Sequence, residues 1–235
     1  YYIFDYYKGE LPKFDKDKRI IFFVSHGHND HFNPNIYQYA EYNPYVTYVL
    51  SDDVRHSLSF AVRLGTGGEN TIFVDNDQLL YLNVDNRGIS KKEGGSRDIK
   101  IETLKSTDEG VAFLIEYAGR SIYFAGDLNW WHWEGEDPVW NRNMEADFRR
   151  YAEPLRGRKI DLAMLPLDPR LGEDGFRGPQ YFLELADIRR FLPMHQWGNF
   201  NFTNQFLSCY TSFTSRTVYV NRVGQVFTFE EEADT

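Results

Sequence analysis

Six consecutive residues, His26-Gly27-His28-Asn29-Asp30-His31, hold four side chains able to bind a metal ion. The order is H-x-H-x-D-H. Imidazole and carboxylate groups are the donors that hold zinc and similar divalent ions. Gly27 and Asn29 separate them, and both suit a tight turn. A turn can aim several ligands at one point, whereas a straight strand sends alternate side chains to opposite faces. The stretch follows Ile20-Ile21-Phe22-Phe23-Val24, an apolar run with the length and composition of a buried strand. Donors at this density, delivered where a strand ends, predict a metal site in preference to a solvated polar loop.

The stretch resembles the signature of the metallo-β-lactamase superfamily. The resemblance implies a four-layer α/β/β/α sandwich, two mixed β-sheets flanked by helices, with a metal site at one edge of the sheets. It also implies hydrolysis as the usual chemistry, with a minority of oxidoreductases and other activities. By the same resemblance His26 and His28 would bind one metal, and Asp30 and His31 a second. Phe124-Ala125-Gly126-Asp127 closes another strand-like run, and the resemblance makes Asp127 the carboxylate that bridges the two ions. Met194-His195 closes a third, with His195 implied as the last ligand of the second site. The expected cofactor is one or two divalent ions, zinc first, with manganese or iron as alternatives.

The sequence departs from the common pattern at one motif. Many relatives supply a further histidine to the first metal from the loop before the hairpin that ends in Gly-Asp. Here that loop is Lys105-Ser106-Thr107-Asp108-Glu109-Gly110 and holds no histidine. Ser106 and Asp108 fall nearest the missing position. An Asp108 oxygen could complete the site and would favour a harder ion such as manganese. Weak binding at that site, or a polar turn that only bonds its own backbone, are the competing readings. His132 lies five residues beyond Asp127 in Leu128-Asn129-Trp130-Trp131-His132-Trp133. It could be the replacement ligand, a proton donor or an oxyanion donor, or simply part of an aromatic loop. Pro166-Leu167-Asp168-Pro169-Arg170 is a stiff turn in which Asp168 and Arg170 can pair or orient neighbours. Together these loops resemble, at a distance, the ascorbate 6-phosphate lactonase group of metallo-β-lactamase-fold hydrolases. His56 falls in a predicted helix and is read as structural or exposed.

Composition narrows the function classes. The chain has 235 residues, 42% apolar and 26% charged, enough for one domain with a substantial core. Its formal charge of −9 argues against broad nucleic-acid binding, which needs clustered Lys and Arg. No apolar run approaches the ~20 residues of a membrane span. The single cysteine, Cys209, fits a reducing cytoplasm. A small-molecule substrate is the expected partner, and homo-oligomerisation stays open. The opening Tyr1-Tyr2-Ile3-Phe4-Asp5 reads as the middle of a β-hairpin, so a short N-terminal segment is expected to precede it.

The elements that must position these groups follow from local signals. Asn33-Pro34 predicts a short helix through about Tyr42. Strands are expected at 46–50, 72–74, 79–82, 111–117 and 121–125, and a helix from Ser51 to about Leu64 with Gly65 as its stop. Residues 85–98 read as an exposed loop. A helix is expected over 144–156, a strand over 160–165, a helix over 179–191 and a strand over 191–194. A short helix and two strands, 217–220 and 225–229, complete a single domain over 1–235. Strands in hairpins early and alternating with helices late fit two helix-covered sheets.

These readings converge on a metal-dependent hydrolase that directs an activated water at a small ester, lactone, amide or phosphoester. Asp30 would orient the water and accept its proton. A metal-binding sensor or interaction module without turnover is the alternative. A nuclease of this fold is disfavoured by the acidic charge and by the lack of room for a second, substrate-gripping domain.

Overall fold

The computed structural model describes residues 1–57, 70–83 and 98–229. Strands β1 (Tyr2–Phe4), β2 (Ile20–Val24), β3 (Val46–Ser51) and β4 (Thr71–Val74) form one sheet in that order, all parallel. The second sheet has the order β12-β10-β8-β7-β6-β5. Its members are β5 (Leu79–Asn83), β6 (Asp98–Lys105), β7 (Val111–Tyr117), β8 (Arg120–Phe124), β10 (Leu162–Pro166) and β12 (Phe191–Met194). Strands β5 to β8 run antiparallel, and β8, β10 and β12 run parallel. A separate pair joins β9 (Lys159–Ile160) to β11 (Asp187–Ile188).

Strand β2 shows why the sequence builds four layers. All five of its residues are buried, as a parallel strand covered on both faces requires. Ile21 and Phe23 face the second sheet, where they pack with Phe113, Ile115 and Phe124. Ile20, Phe22 and Val24 face outwards, against Ile36 and Tyr39 of the segment that joins β2 to β3. That segment is a 3-10 turn, Pro34–Gln38, leading into helix α1 (Tyr39–Tyr42), and Asn33 caps it through Asn35 N. Helix α2 (Val54–Ser57) follows β3 and contains His56. On the far side, Tyr123, Ala163 and Phe191 of the second sheet meet helices α3 (Pro138–Ala152), α4 (Arg177–Leu185) and α5 (Phe202–Cys209). Burying a side chain such as Phe22 or Phe23 is worth about 1.5–3 kcal/mol.

Several expected elements shift. Tyr2–Phe4 is not part of a local hairpin but pairs in parallel with Ile21–Phe23. The hairpins lie in the middle of the chain, at β5 to β8, and not at its start. Helix α3 begins six residues before the expected start because Asp137 caps it through Val139 N and Pro138 occupies its first turn. The apolar run at 160–165 is two strands in different sheets, divided at Asp161. Helix α4 stops at Leu185 and β11 follows. The expected strands 217–220 and 225–229 are replaced among the described residues by a single bridge from Thr217 to Phe191. The far part of the helix expected up to Leu64, and its stop Gly65, lie outside the described residues. So does the expected loop at 85–98, apart from Asp98, which opens β6.

No described helix is long and apolar enough to cross a membrane.

Candidate metal centre

The ends of β2, β8 and β12 meet at one edge of the sandwich. The β2 end carries the Ser25–His31 turn, the β8 end carries Asp127, and β12 runs directly into His195. Two glycines let the turns approach one another. A Cβ on Gly110 would lie 1.9 Å from Ser25 O, and one on Gly126 would lie 2.5 Å from Ser25 Cβ. Both have positive φ, 69° and 51°, which glycine adopts without steric cost. Val111 N then donates to Ser25 O at 2.9 Å, fixing the histidine turn against β7.

Three groups of potential donors result among the described residues; one joins Asp5, His26 and His31, and the other two share Asp127. In the first of those two, donor atoms of His26, His28, Asp108 and Asp127 all lie within 4.8 Å of one another. His26 Nε2 is 3.1 Å from His28 Nδ1 and 3.6 Å from Asp127 Oδ2, and His28 Nδ1 is 3.7 Å from Asp108 Oδ2. Asp108, from the loop that holds no histidine, joins this group. In the second group, His31, Asp127 and His195 converge. Asp127 Oδ1 lies 3.4 Å from His31 Nε2 and 3.0 Å from His195 Nε2. Asp30 stands beside this group, with Oδ2 3.7 Å from His31 Nε2.

His31 Nε2 and Asp127 Oδ1 are buried and make no hydrogen bond. Buried polar atoms are normally satisfied, and these two point at one another across a space bounded by further donors. That donor set fits a divalent ion. At His26 and Asp127 the protonation state favours it. Burial, helped by the neighbouring His31, pushes His26 down to about 3 and keeps it neutral, the form that coordinates metals. Burial alone would raise Asp127, but His195, His31 and His26 outweigh it and hold the carboxyl at about 2. Burial raises Asp108, and the charge of Asp127 adds to the shift.

Supporting groups orient the rings. Asp5 accepts from Ser25 N at 2.7 Å and meets His31 Nδ1 at 2.6 Å, which turns His31 Nε2 inwards. Ser25 Oγ lies 2.9 Å from His26 Nδ1. Asp53 accepts from Gly27 N at 2.7 Å. The fully buried Asp168 lies 3.5 Å from His195 Nδ1. Burial opposes a charge on His195, yet Asp127 and Asp168 together lift it to about 9. Asp5 and Asp53 escaped sequence reasoning because a polar residue 20 or more positions from the motif carries no local signal of its role, and Ser25, next to His26, reads as an ordinary turn residue. His195 and Trp197 have positive φ, 57° and 50°, and non-glycine residues held there are a recurrent mark of functional sites.

A cleft of about 280 Å³ opens over the donors, lined by His28, Asp30, Asp108 and Asp127 and walled by Trp131, Trp133, Trp140 and Arg170. His132 is not among its lining residues. It faces a neighbouring cleft, with Nε2 3.8 Å from Asp174 Oδ2. The reason is local: Trp131 and Trp133 stack nearly parallel, 6.4 Å apart, on the ligand side, and the residue between them turns the other way. Against the expectation of a ligand, His132 is in none of the donor groups and does not line the donor cleft, where it was also expected as a proton donor or oxyanion donor. Ser106 Oγ accepts from Asp108 N at 3.2 Å.

Sequence comparison with family models and with curated proteins finds no match. Comparison of structures does. CmlA, a diiron β-hydroxylase from Streptomyces venezuelae, matches 85% of this chain at 11% identity with a TM-score of 0.51. The metallo-β-lactamase fold protein YhfI from Bacillus subtilis matches 84% at 15% identity, with a TM-score of 0.49. The chain has the metallo-β-lactamase fold. Zinc-bound PqqB from Methylobacterium extorquens is similar over 75% of the chain, at 12% identity and a TM-score of 0.42. The aligned region is 43% of the CmlA chain and 73% of YhfI. At these identities the likeness is one of fold, and within the metallo-β-lactamase fold the chemistry must be argued from the side chains.

Proposed function

We propose that the chain is a single-domain, metal-dependent hydrolase acting on a small ester, lactone, amide or phosphoester. One observation carries the reading: the two oxygens of Asp127 face different histidine sets, Oδ2 towards His26 and Oδ1 towards His31 and His195. A carboxylate so placed can be shared by two ions. His26, His28, Asp108 and Asp127 would hold one, and Asp30, His31, Asp127 and His195 the other. Divalent ions bound there would supply Lewis acidity and lower the pKa of a water.

The remaining steps belong to the protein's own groups. Asp30 is the most open carboxylate of the second set, with 38% of its side chain exposed. It can accept the proton of an attacking water. Trp131 and Trp133 wall the cleft and keep bulk water from the reacting centre. The single cysteine supports a cytoplasmic setting.

The test is reconstitution. Protein stripped with a chelator and reloaded with zinc, manganese or iron is assayed for metal content and for hydrolysis of chromogenic esters, lactones, amides and phosphoesters. Iron and manganese belong in the series because Asp108 adds an oxygen donor to the first set. Uptake of up to two ions with metal-dependent turnover is expected. Asp127→Ala should lose at least one equivalent and the activity with it. Failure to take up any of these ions would overturn the reading, and uptake without turnover on any substrate would leave a metal-binding module.

A further inference from the structure

Arg170 is the one arginine or lysine that lines the donor cleft among its described walls. Its position is unusually fixed for a long side chain. Asp168, fully buried, accepts from Arg170 Nε at 3.0 Å and from Nη2 at 2.6 Å. The guanidinium also lies 4.6 Å from the ring centre of Trp197 and 5.8 Å from that of Trp133. Trp197 Nε1 donates to the same Asp168 at 3.2 Å. Five N–H groups are available on a guanidinium, and Asp168 engages only one edge. Nη1 makes no hydrogen bond among the described residues, and about half of the side chain is exposed. The structure therefore presents a rigid, half-used cationic fork beside the metal donors.

The same cleft is rich in aromatic and apolar side chains. Trp131, Trp133, Trp140 and Met144 line it. A volume of about 280 Å³ is at the lower end for small-molecule sites. It suits a compact ligand better than a polymer.

We infer that Arg170 is the specificity-determining residue for a substrate with a flat apolar body and a carboxylate group. The carboxylate would take the open edge of the guanidinium as a bidentate pair, while the body lies against the tryptophans. The planar fork matches a planar carboxylate in both geometry and charge. A carboxylate that continues the guanidinium plane also keeps contact with the indole face that Arg170 already covers. Because Arg170 and His195 share Asp168, this anchor is tied mechanically to the second donor set. Anchoring at Arg170 would then set the distance from the carboxylate to the bond presented at the donors. The assignment of that bond as the one hydrolysed rests on the proposed hydrolase activity, whereas the recognition itself does not.

The test uses 2-naphthoate and its neutral counterpart 2-naphthamide as probes. Binding is measured by titration calorimetry and saturation-transfer NMR on the metal-loaded and the chelator-stripped protein. The wild type should prefer the acid by about tenfold or more in both states. Arg170→Gln should abolish that preference with metal content unchanged. Arg170→Lys keeps a charge beside Asp168 and protects the fold, but lacks the fork, and should retain only part of the preference. Trp140→Ala should weaken both probes alike. Equal affinity for acid and amide in the wild type, or no binding of the acid at millimolar concentration, would overturn the inference. So would a preference that survives Arg170→Gln and disappears only on metal removal, because the ions and not Arg170 would then read the carboxylate. A preference that depends on Arg170 in protein that takes up no metal would sustain the recognition while removing the hydrolase.

Discussion

Asp5 Oδ2 sits 2.6 Å from His31 Nδ1, and the far nitrogen of that ring faces Asp127. An aspartate from the end of the first strand thus sets the tautomer and aim of a ligand that follows the second. Burial pushes the Asp5 carboxyl up, while its bonds with His31 and Ser25 pull the other way. Outer-shell partners of this kind typically govern 10–100-fold in metal affinity. Asp5→Ala should weaken the second ion by about that factor and leave the first nearly unaffected. Competition titration with a fluorescent chelator checks this. Equal loss at both sites would mean that Asp5 holds the whole turn and not one ring.

Gly110 is the second test, on the fold side of the site. A methyl group there would meet Ser25 O and His26 Cβ at distances no real Cβ adopts, and the backbone is left-handed. Left-handed strain alone costs on the order of 1–3 kcal/mol for a non-glycine residue. Gly110→Ala should therefore lower the urea midpoint and disturb metal binding together. Gly119→Ala, also at positive φ but with nothing within 4 Å, should lower stability without changing metal affinity. If Gly110→Ala keeps full metal affinity, the close approach of β7 to the histidine turn does not shape the site.

The H-x-H-x-D-H stretch was legible from its own donors at the end of an apolar run, where a chain can present side chains at a sheet edge, whereas Asp127 and His195 were singled out through the family resemblance. The four-layer fold came from the family resemblance, and the apolar runs were compatible with two helix-covered sheets. The parallel pairing of β1 with β2 was not, since strand direction depends on partners far along the chain and Tyr2–Phe4 has no periodicity of its own. The early start of α3 was available in Asp137-Pro138 and was overridden by the weaker apolar pattern further on. His132 was misplaced for a different reason. In an extended stretch, neighbouring side chains point to opposite sides, and sequence order alone cannot say which side faces the donors. Trp131 and Trp133 took that side.

Removing metal gives a further expectation. Ions that bind only the native state stabilise it by mass action, by about 2.7 kcal/mol at a hundredfold excess over Kd. Chelation should lower the melting temperature, and readdition should restore it. Asp127→Ala should gain less in melting temperature from added metal than the wild type does. An Asp127→Ala protein that still gains full stability from added ions would remove Asp127 from the shared position.

The last prediction separates Asp108 from His132. Asp108 Oδ2 lies 3.7 Å from His28 Nδ1 within the first donor group, while His132 faces Asp174 in the adjoining cleft. Asp108→Ala should therefore lose about one equivalent of metal, measured by elemental analysis after dialysis. Asp108→His restores a donor at the same position and should recover the equivalent, with the metal preference moved from manganese towards zinc as oxygen gives way to nitrogen. His132→Gln should leave metal content unchanged and alter turnover by less than the ~10²-fold expected of a lost general acid. The two residues thus predict opposite patterns. Metal lost with His132 and kept without Asp108 would require the Trp131–Trp133 loop to turn over in the loaded protein. The stacked pair of indoles and the contact of Trp131 Nε1 with Asp127 O at 3.0 Å both oppose that rearrangement.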